Sequence, residues 1–268
     1  MTSFSNKFLT HSRPQTRRQF MATTAAAAGT AALLPNFTQA AAHAGNVFDT
    51  PAGQIKVNPI DHASIVLETA KGVIAVDPVG DPSNYANLPK PDLTLITHHH
   101  GDHFNAETLA GITQDSTGFV TNSVAAEFLS ADHKSRAQTM GNGDTLTANG
   151  ISLTAIPAYN ITAERQKFHP QGRDNGYVLD LGGFRIYISG DTEDIPEMRA
   201  LEGIDLAFVC MNLPFTMDAK AAADAVRTFR PKVVYPYHYR GRDGGTQDPA
   251  EFAALVGDAS EVRMGEWY

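Results

Sequence analysis

The chain has 268 residues, 42% hydrophobic and 19% charged, which is enough apolar material for a packed core and excludes general disorder. With 29 Asp and Glu against 21 Lys and Arg, its net charge of −8 disfavours a phosphate-backbone partner, so no nucleic acid is expected. A single cysteine rules out an internal disulfide or a cysteine-rich metal cluster.

Residues 1–42 differ from the rest. They carry Lys7, Arg13, Arg17 and Arg18 and no acid, so the remainder of the chain stands at −12. Arg17-Arg18-Gln19-Phe20 precedes a weakly apolar run from Ala22 to Leu34, followed by small residues at Ala40-Ala41-Ala42 and Ala42-His43-Ala44. A basic start, a short apolar middle and an Ala-x-Ala site together make the pattern of a cleavable secretory signal. The paired arginines resemble the twin-arginine type, which implies that export machinery as a partner and a periplasmic or secreted destination. The apolar run is shorter than the ~20 residues a membrane span requires, so no stable span is expected. Residues 43–268 show no repeat or seam and read as one domain.

Ile65 to Leu67 and Val73 to Val76 are apolar runs around Lys71-Gly72, a hairpin signal. Leu93 to Ile96 is a further strand, and Asn105 to Ile112 and Ser123 to Leu129 have helical spacing. A strand around Leu146 and one from Ile151 to Ile156 flank Asn149-Gly150, a dipeptide suited to a tight turn. Tyr177 to Leu181 and Phe184 to Ile188 form another hairpin across Gly182-Gly183. Leu206 to Cys210, Asp218 to Phe229 and Val233 to Tyr237 read as strand, helix and strand. Asp248-Pro249-Ala250-Glu251 has the cap, proline and acid of a helix start. Hairpins in both halves with helices between and after them predict an α/β fold, two sheets with helices outside.

The segment with the clearest chemistry is Thr97-His98-His99-His100-Gly101-Asp102-His103, directly behind the strand at Leu93. Residues two apart in an extended stretch point the same way, so His98 and His100 can grip one metal ion from one side. Asp102 and His103, beyond a turn that Gly101 is expected to permit, can then face a neighbouring position. Imidazole and carboxylate suit zinc, iron or manganese, and the lack of cysteine ligands fits a catalytic site.

This HxHxDH pattern resembles the signature loop of the metallo-β-lactamase-fold hydrolases. Ser189-Gly190-Asp191-Thr192 is similar to the family's GDT element, and Pro236-Tyr237-His238-Tyr239 to the strand end that bears its last histidine. His62-Ala63-Ser64 and Asp77-Pro78 resemble the branch containing ascorbate-lactone hydrolases. The resemblance implies a four-layer αβ/βα sandwich and two divalent ions, zinc first, with Mn(II) or Fe(II) as alternatives. It implies that His98, His100 and His169 hold one ion, Asp102, His103 and His238 the other, and that Asp191 bridges them. Asp102 and Asp191 are the expected catalytic groups.

One departure concerns the strand end after Ile156, where the family places a histidine and this chain has Asn160. His169, in Phe168-His169-Pro170, is the expected replacement; the alternative is an exposed loop histidine, with Asn160 or water as ligand and a single ion. His62 reads either as an oxyanion or leaving-group donor or as a histidine satisfied in the core. Asp77 reads either as a carboxylate that orients a ligand histidine or as a turn residue. Cys210 is expected to be a buried small hydrophobe. Arg165, Lys167, Arg173, Tyr239, Arg240 and Arg242 flank proposed ligands as anion-binding candidates or as solvated loop residues. The expected activity is hydrolysis of a small ester, lactone or phosphodiester. A di-iron oxidoreductase of the same fold and a non-catalytic metal-binding protein are the alternatives.

Overall fold

In the computed structural model, which describes residues 46–240 and 247–268, the chain builds two seven-stranded sheets. The first runs β1 (Val47–Thr50), β2 (Gly53–Asp61), β3 (Ser64–Thr69), β4 (Gly72–Val76), β5 (Leu93–Leu95), β6 (Gly118–Thr121) and β7 (Ala137–Thr139) in chain order. The second contains β8 (Thr145–Ala148), β9 (Ile151–Ala158), β10 (Asp174–Asp180), β11 (Arg185–Ile188), β12 (Leu206–Cys210), β13 (Val233–Tyr237) and β14 (Glu261–Val262), also in order. Each sheet starts as an antiparallel meander and finishes parallel: β1 to β4 and β8 to β11 alternate in direction, and the strands that follow do not.

Period-two alternation sorts the side chains into layers. Ile65 and Leu67 of β3 and Ile74 and Val76 of β4 enter the central core with Leu153, Tyr177 and Phe208 of the second sheet. Val66 and Ala75, one residue out of step, face the other way and pack with Tyr85 and Ile112. Parallel strands covered on both faces are apolar throughout, as in the fully buried Leu206–Cys210. Among the described residues the α-helices are α1 (Ala106–Ile112), α2 (Ser123–Ala126), α3 (Ala131–Ser135), α4 (Pro196–Arg199), α5 (Ala219–Phe229) and α6 (Pro249–Val256). Leu109 of α1 and Ala125 of α2 pack on Phe119 of β6. Ala222, Val226 and Phe229 of α5 join the core beside the second sheet, Phe229 meeting the Tyr187 ring at 5.9 Å. The result is an αβ/βα sandwich. Among the described residues no helix is long and apolar enough to cross a membrane.

The cap predicted at Asp248 is present, accepting from the Ala250 N–H, and Asn105 and Asp218, at the starts of the predicted helical stretches, cap theirs by accepting from Thr108 and Ala221. The helix expected over Ser123 to Leu129 is shorter, ending at Ala126. Strands β1, β2, β6, β7 and β14 and helices α3 and α4 were not among the predicted elements. The export segment expected over residues 1–42 and Arg242 lie outside the described residues.

Candidate metal centre

The first sheet delivers its groups from the end of β5. Past Leu95 the chain stays extended, so His98 and His100 project together, with rings 4.6 Å apart, while His99 turns away to stack on Phe128. The strand end is bonded to the opposite sheet, Ile96 C=O accepting from the Tyr177 hydroxyl and Thr97 C=O from the Asn175 N–H, and to its own sheet, Thr97 C=O accepting also from the Asn122 amide after β6. Gly101 does not adopt a positive φ, and a side chain there would meet open space, so the turn does not depend on a glycine. At Gly190 the need is real: φ is +60, and a Cβ would sit 3.1 Å from Thr97 Cβ. This glycine lets the turn that presents Asp191 press against the signature loop.

The second sheet contributes Asp191 after β11, His238 after β13 and His169 from the connection between β9 and β10. These converge with the first set. One ligand atom each from His98, His100 and His169 lie within 4.8 Å of one another, as do those of Asp102, His103 and His238. Asp191 lies between the two sets, with Oδ1 3.2 Å from His103 Nε2 and Oδ2 3.4 Å from His169 Nε2 and 3.5 Å from His238 Nε2. All seven residues expected to hold metal therefore surround one place.

Three of the histidines are held from behind. His103 Nδ1 bonds Asp77 Oδ2 at 2.8 Å, and Asp77 also accepts from the Thr97 N–H and hydroxyl at 2.7 and 2.6 Å. His98 Nδ1 meets the Thr97 hydroxyl at 3.0 Å, and His169 Nδ1 meets Asp174 Oδ2 at 3.1 Å. Such partners fix ring orientation and leave the other nitrogen facing the cluster. Asp77 thus orients a histidine, settling the two readings of that residue.

His169 stands where a strand-end histidine is missing. The Asn160 side chain points elsewhere, donating to the carbonyls of Arg165 and Phe215, and its N–H donates to the His169 carbonyl at 2.8 Å. Glu193 completes the clip by accepting from the N–H groups of Ile161 and Thr162 and from Arg165. Asn160 therefore ties down the loop that carries the histidine.

Electrostatics follow from burial against proximity. Burial, reinforced by His103 and His169, holds His98 well below the usual imidazole range; burial and His169 push His100 down to about 4. Burial also opposes charge on His103, but Asp191 and Asp77 outweigh it and hold that imidazole well above its ordinary range. His238 is likewise raised to about 9, Asp191 and Asp102 overcoming desolvation. Desolvation resists the Asp191 charge, yet His238 and His103 keep the carboxyl well below the carboxylate range.

Of the seven groups, His100, Asp102, His169 and Asp191 line a cavity of about 920 Å³, together with His62, Val79, Phe168, Phe215 and Arg240. That is a common size for a small-molecule site. Arg165 is paired with Glu193 and Arg173 with Asp174, while Lys167 lies over the Phe168 ring; these are fastenings of the loop. Tyr239 packs on Tyr268, and Arg240 reaches the cavity rim. Cys210 is fully buried, and burial pushes its thiol up to about 12, so it is an inert core residue. Asp174, Glu193 and Tyr268 were missed by sequence reasoning because no local pattern marks them.

Residues 56–238 match the family described as Beta-lactamase superfamily domain. A UPF0173 metal-dependent hydrolase of Thermococcus onnurineus is 34% identical over 176 residues, 64% of this chain and 77% of the relative. One of Anaeromyxobacter dehalogenans is 32% identical over 199 residues, 69% of this chain and 72% of the relative. The crystal structure of a putative metal-dependent hydrolase from Parabacteroides distasonis superposes with a TM-score of 0.75 at 39% identity, covering 84% of this chain and 99% of that one. The matched span contains both sheets' contributions to the cluster, and the chain accordingly belongs to the beta-lactamase superfamily, as a metal-dependent hydrolase of the metallo-β-lactamase fold.

Proposed function

We propose that the chain is an exported hydrolase that cleaves a small ester, lactone or phosphodiester with two divalent ions, zinc first among them. In this reading His98, His100 and His169 hold one ion, Asp102, His103 and His238 hold the other, and Asp191 bridges. The observation that carries it is the state of the buried ligand atoms. Buried His98 Nε2 makes no hydrogen bond, and buried His103 Nε2 and Asp191 Oδ1 meet each other at 3.2 Å as an ion pair without a hydrogen bond. Leaving a buried polar atom unmatched costs about 1–3 kcal/mol, a penalty that cation binding removes. Imidazole and carboxylate donors suit zinc, manganese or iron alike.

When bound, a pair of divalent ions ionises water with a pKa near about 7 and polarises the oxygen of the scissile group. The protein's own residues do the rest. Asp77, Thr97 and Asp174 hold the His103, His98 and His169 imidazoles in orientation from behind. Asp102, 3.4 Å from His238 Nε2 and with a partly exposed side chain, can accept a proton at its carboxylate and pass it to the cavity. Phe168 and Phe215, edge to face at 5.0 Å, supply an apolar wall for the substrate's carbon skeleton.

The test is turnover of lactone, ester, phosphodiester and β-lactam substrates by the purified protein loaded with Zn(II), Mn(II) or Fe(II). Hydrolysis in the first three groups, abolished by chelation and restored by zinc, is expected; activity on β-lactams alone contradicts the substrate class. The export reading is tested separately. Exchange of Arg17 and Arg18 for Lys should trap precursor in the cytoplasm, and unchanged export contradicts it.

A further inference from the structure

His62 follows β2 in a left-handed conformation, φ +45, which a residue with a side chain adopts at a cost and keeps only where its surroundings impose it. Those surroundings belong to the site. The His62 carbonyl accepts from the His238 N–H at 3.1 Å, and its ring stands edge-on to His238 at 5.6 Å and to Tyr268 at 5.2 Å. His62 also lines the cavity beside Asp102 and His100.

Its Nδ1 lies 3.1 Å from the Tyr268 hydroxyl. That hydroxyl oxygen also lies 3.4 Å from the Arg240 backbone N–H, which can only donate. With one lone pair of the oxygen taken by Arg240, the hydroxyl can direct its one hydrogen at His62 Nδ1. An imidazole that accepts at Nδ1 carries its proton on Nε2. Tyr268 is braced in turn, with the Arg240 guanidinium 4.1 Å from its ring centre and the Tyr239 ring at 5.0 Å.

Among the other cavity-lining side chains outside the cluster, donors are scarce. The Asn212 amide is turned to His238 at 3.1 Å, the side chains of Asp61, Val79, Phe168 and Phe215 have no N–H to offer, and the Arg240 guanidinium, over the Tyr268 ring, is the other donor at the rim. Hydrolysis of an ester, lactone or phosphodiester builds negative charge on a substrate oxygen, and a positioned donor there lowers the barrier.

We propose that His62 is a catalytic hydrogen-bond donor whose Nε2–H binds the substrate oxygen on which negative charge develops, with Tyr268 as the positioning residue that sets its tautomer. No proton leaves His62 in this role. The proposal rests on the hydrolytic reading of the same cavity.

The test uses the full-length, zinc-loaded chain with ¹⁵N-labelled histidine, His62 being assigned by the signal lost in His62→Gln. We expect Nε2-protonated His62 in the parent and a mixture of tautomers in Tyr268→Phe. A protonated Nδ1 in the parent, or an unchanged pattern in Tyr268→Phe, overturns the assignment. In the same samples, with bis(p-nitrophenyl) phosphate and p-nitrophenyl acetate as probes, His62→Ala should lower kcat about 100-fold at parental zinc content. His62→Gln, whose amide N–H can take the place of Nε2–H, should recover part of that loss. Parental kcat in zinc-loaded His62→Ala, or loss of zinc on that substitution, overturns the catalytic role. A parent that binds no zinc or cleaves neither probe defeats the hydrolytic reading instead, and the tautomer measurement still decides between His62 and Tyr268 as drawn and any other pairing.

Discussion

The loop after β5 brings four of the converging groups between positions 98 and 103, whereas the second sheet brings three from three separate connections, at positions 169, 191 and 238. The two sheets share one topology, four strands in a meander followed by parallel strands, so strand ends correspond between them. Asp77 follows β4 as Asp191 follows β11, yet Asp77 stands behind His103 while Asp191 faces the cluster. In the first sheet one loop carries the ligands and the neighbouring strand end braces it. In the second each group depends on its own connection, and the His169 loop needs the Asn160 and Glu193 clip to hold it.

That contrast orders the expected effects of substitution. Asp191→Ala removes the group shared by both sets, so zinc measured by plasma emission should fall at both positions and kcat by about 1000-fold or more, several kcal/mol of lost stabilisation. Full metal and activity in this variant would break the bridging role. His169→Ala should cost one equivalent while the other, held by Asp102, His103 and His238, persists; unchanged stoichiometry would remove His169 from the site. Asp77→Asn keeps an acceptor for the Thr97 N–H but weakens the grip on His103, and zinc affinity by competition titration should drop about 10–100-fold.

The smallest effect is one of pH. His238 is raised from the usual 6.5 to about 9, burial being outweighed by Asp191 and Asp102, and His103 is raised as well. In chelator-treated protein this stabilisation is complete below the unfolded value of about 6.5 and is lost as pH climbs through about 9. The melting temperature of chelated protein should therefore decline between those pH values, and the trend should vanish in zinc-loaded protein, where the imidazoles are coordinated. A chelated melting temperature that rises with pH over the same window contradicts this charge assignment.

The same contrast explains what sequence could reveal. His98, His100, Asp102 and His103 are legible because one extended turn decides their geometry. Asp191 and His238 were found by resemblance at strand ends, and His169 only by noticing that Asn160 stands where a histidine was due. Asp174, Glu193 and Tyr268 have no local signature, since their roles arise where distant segments meet; Tyr268 lies 206 positions from His62. Among elements, hairpins with turn glycines and capped helices were predictable. Strand β2 was not, as its exposed Gln54 and Lys56 and half-buried Asn58 conceal the buried Ile55 and Val57. The three-residue β7, with both polar residues exposed, has too little pattern to read.

Anomalous diffraction from zinc-soaked crystals of the full chain tests the central claim most directly. The account predicts two peaks about 3.5–4 Å apart on either side of the Asp191 carboxylate, one within reach of His98, His100 and His169 and the other of Asp102, His103 and His238. A single peak that excludes His169, or zinc bound away from these residues, would contradict it.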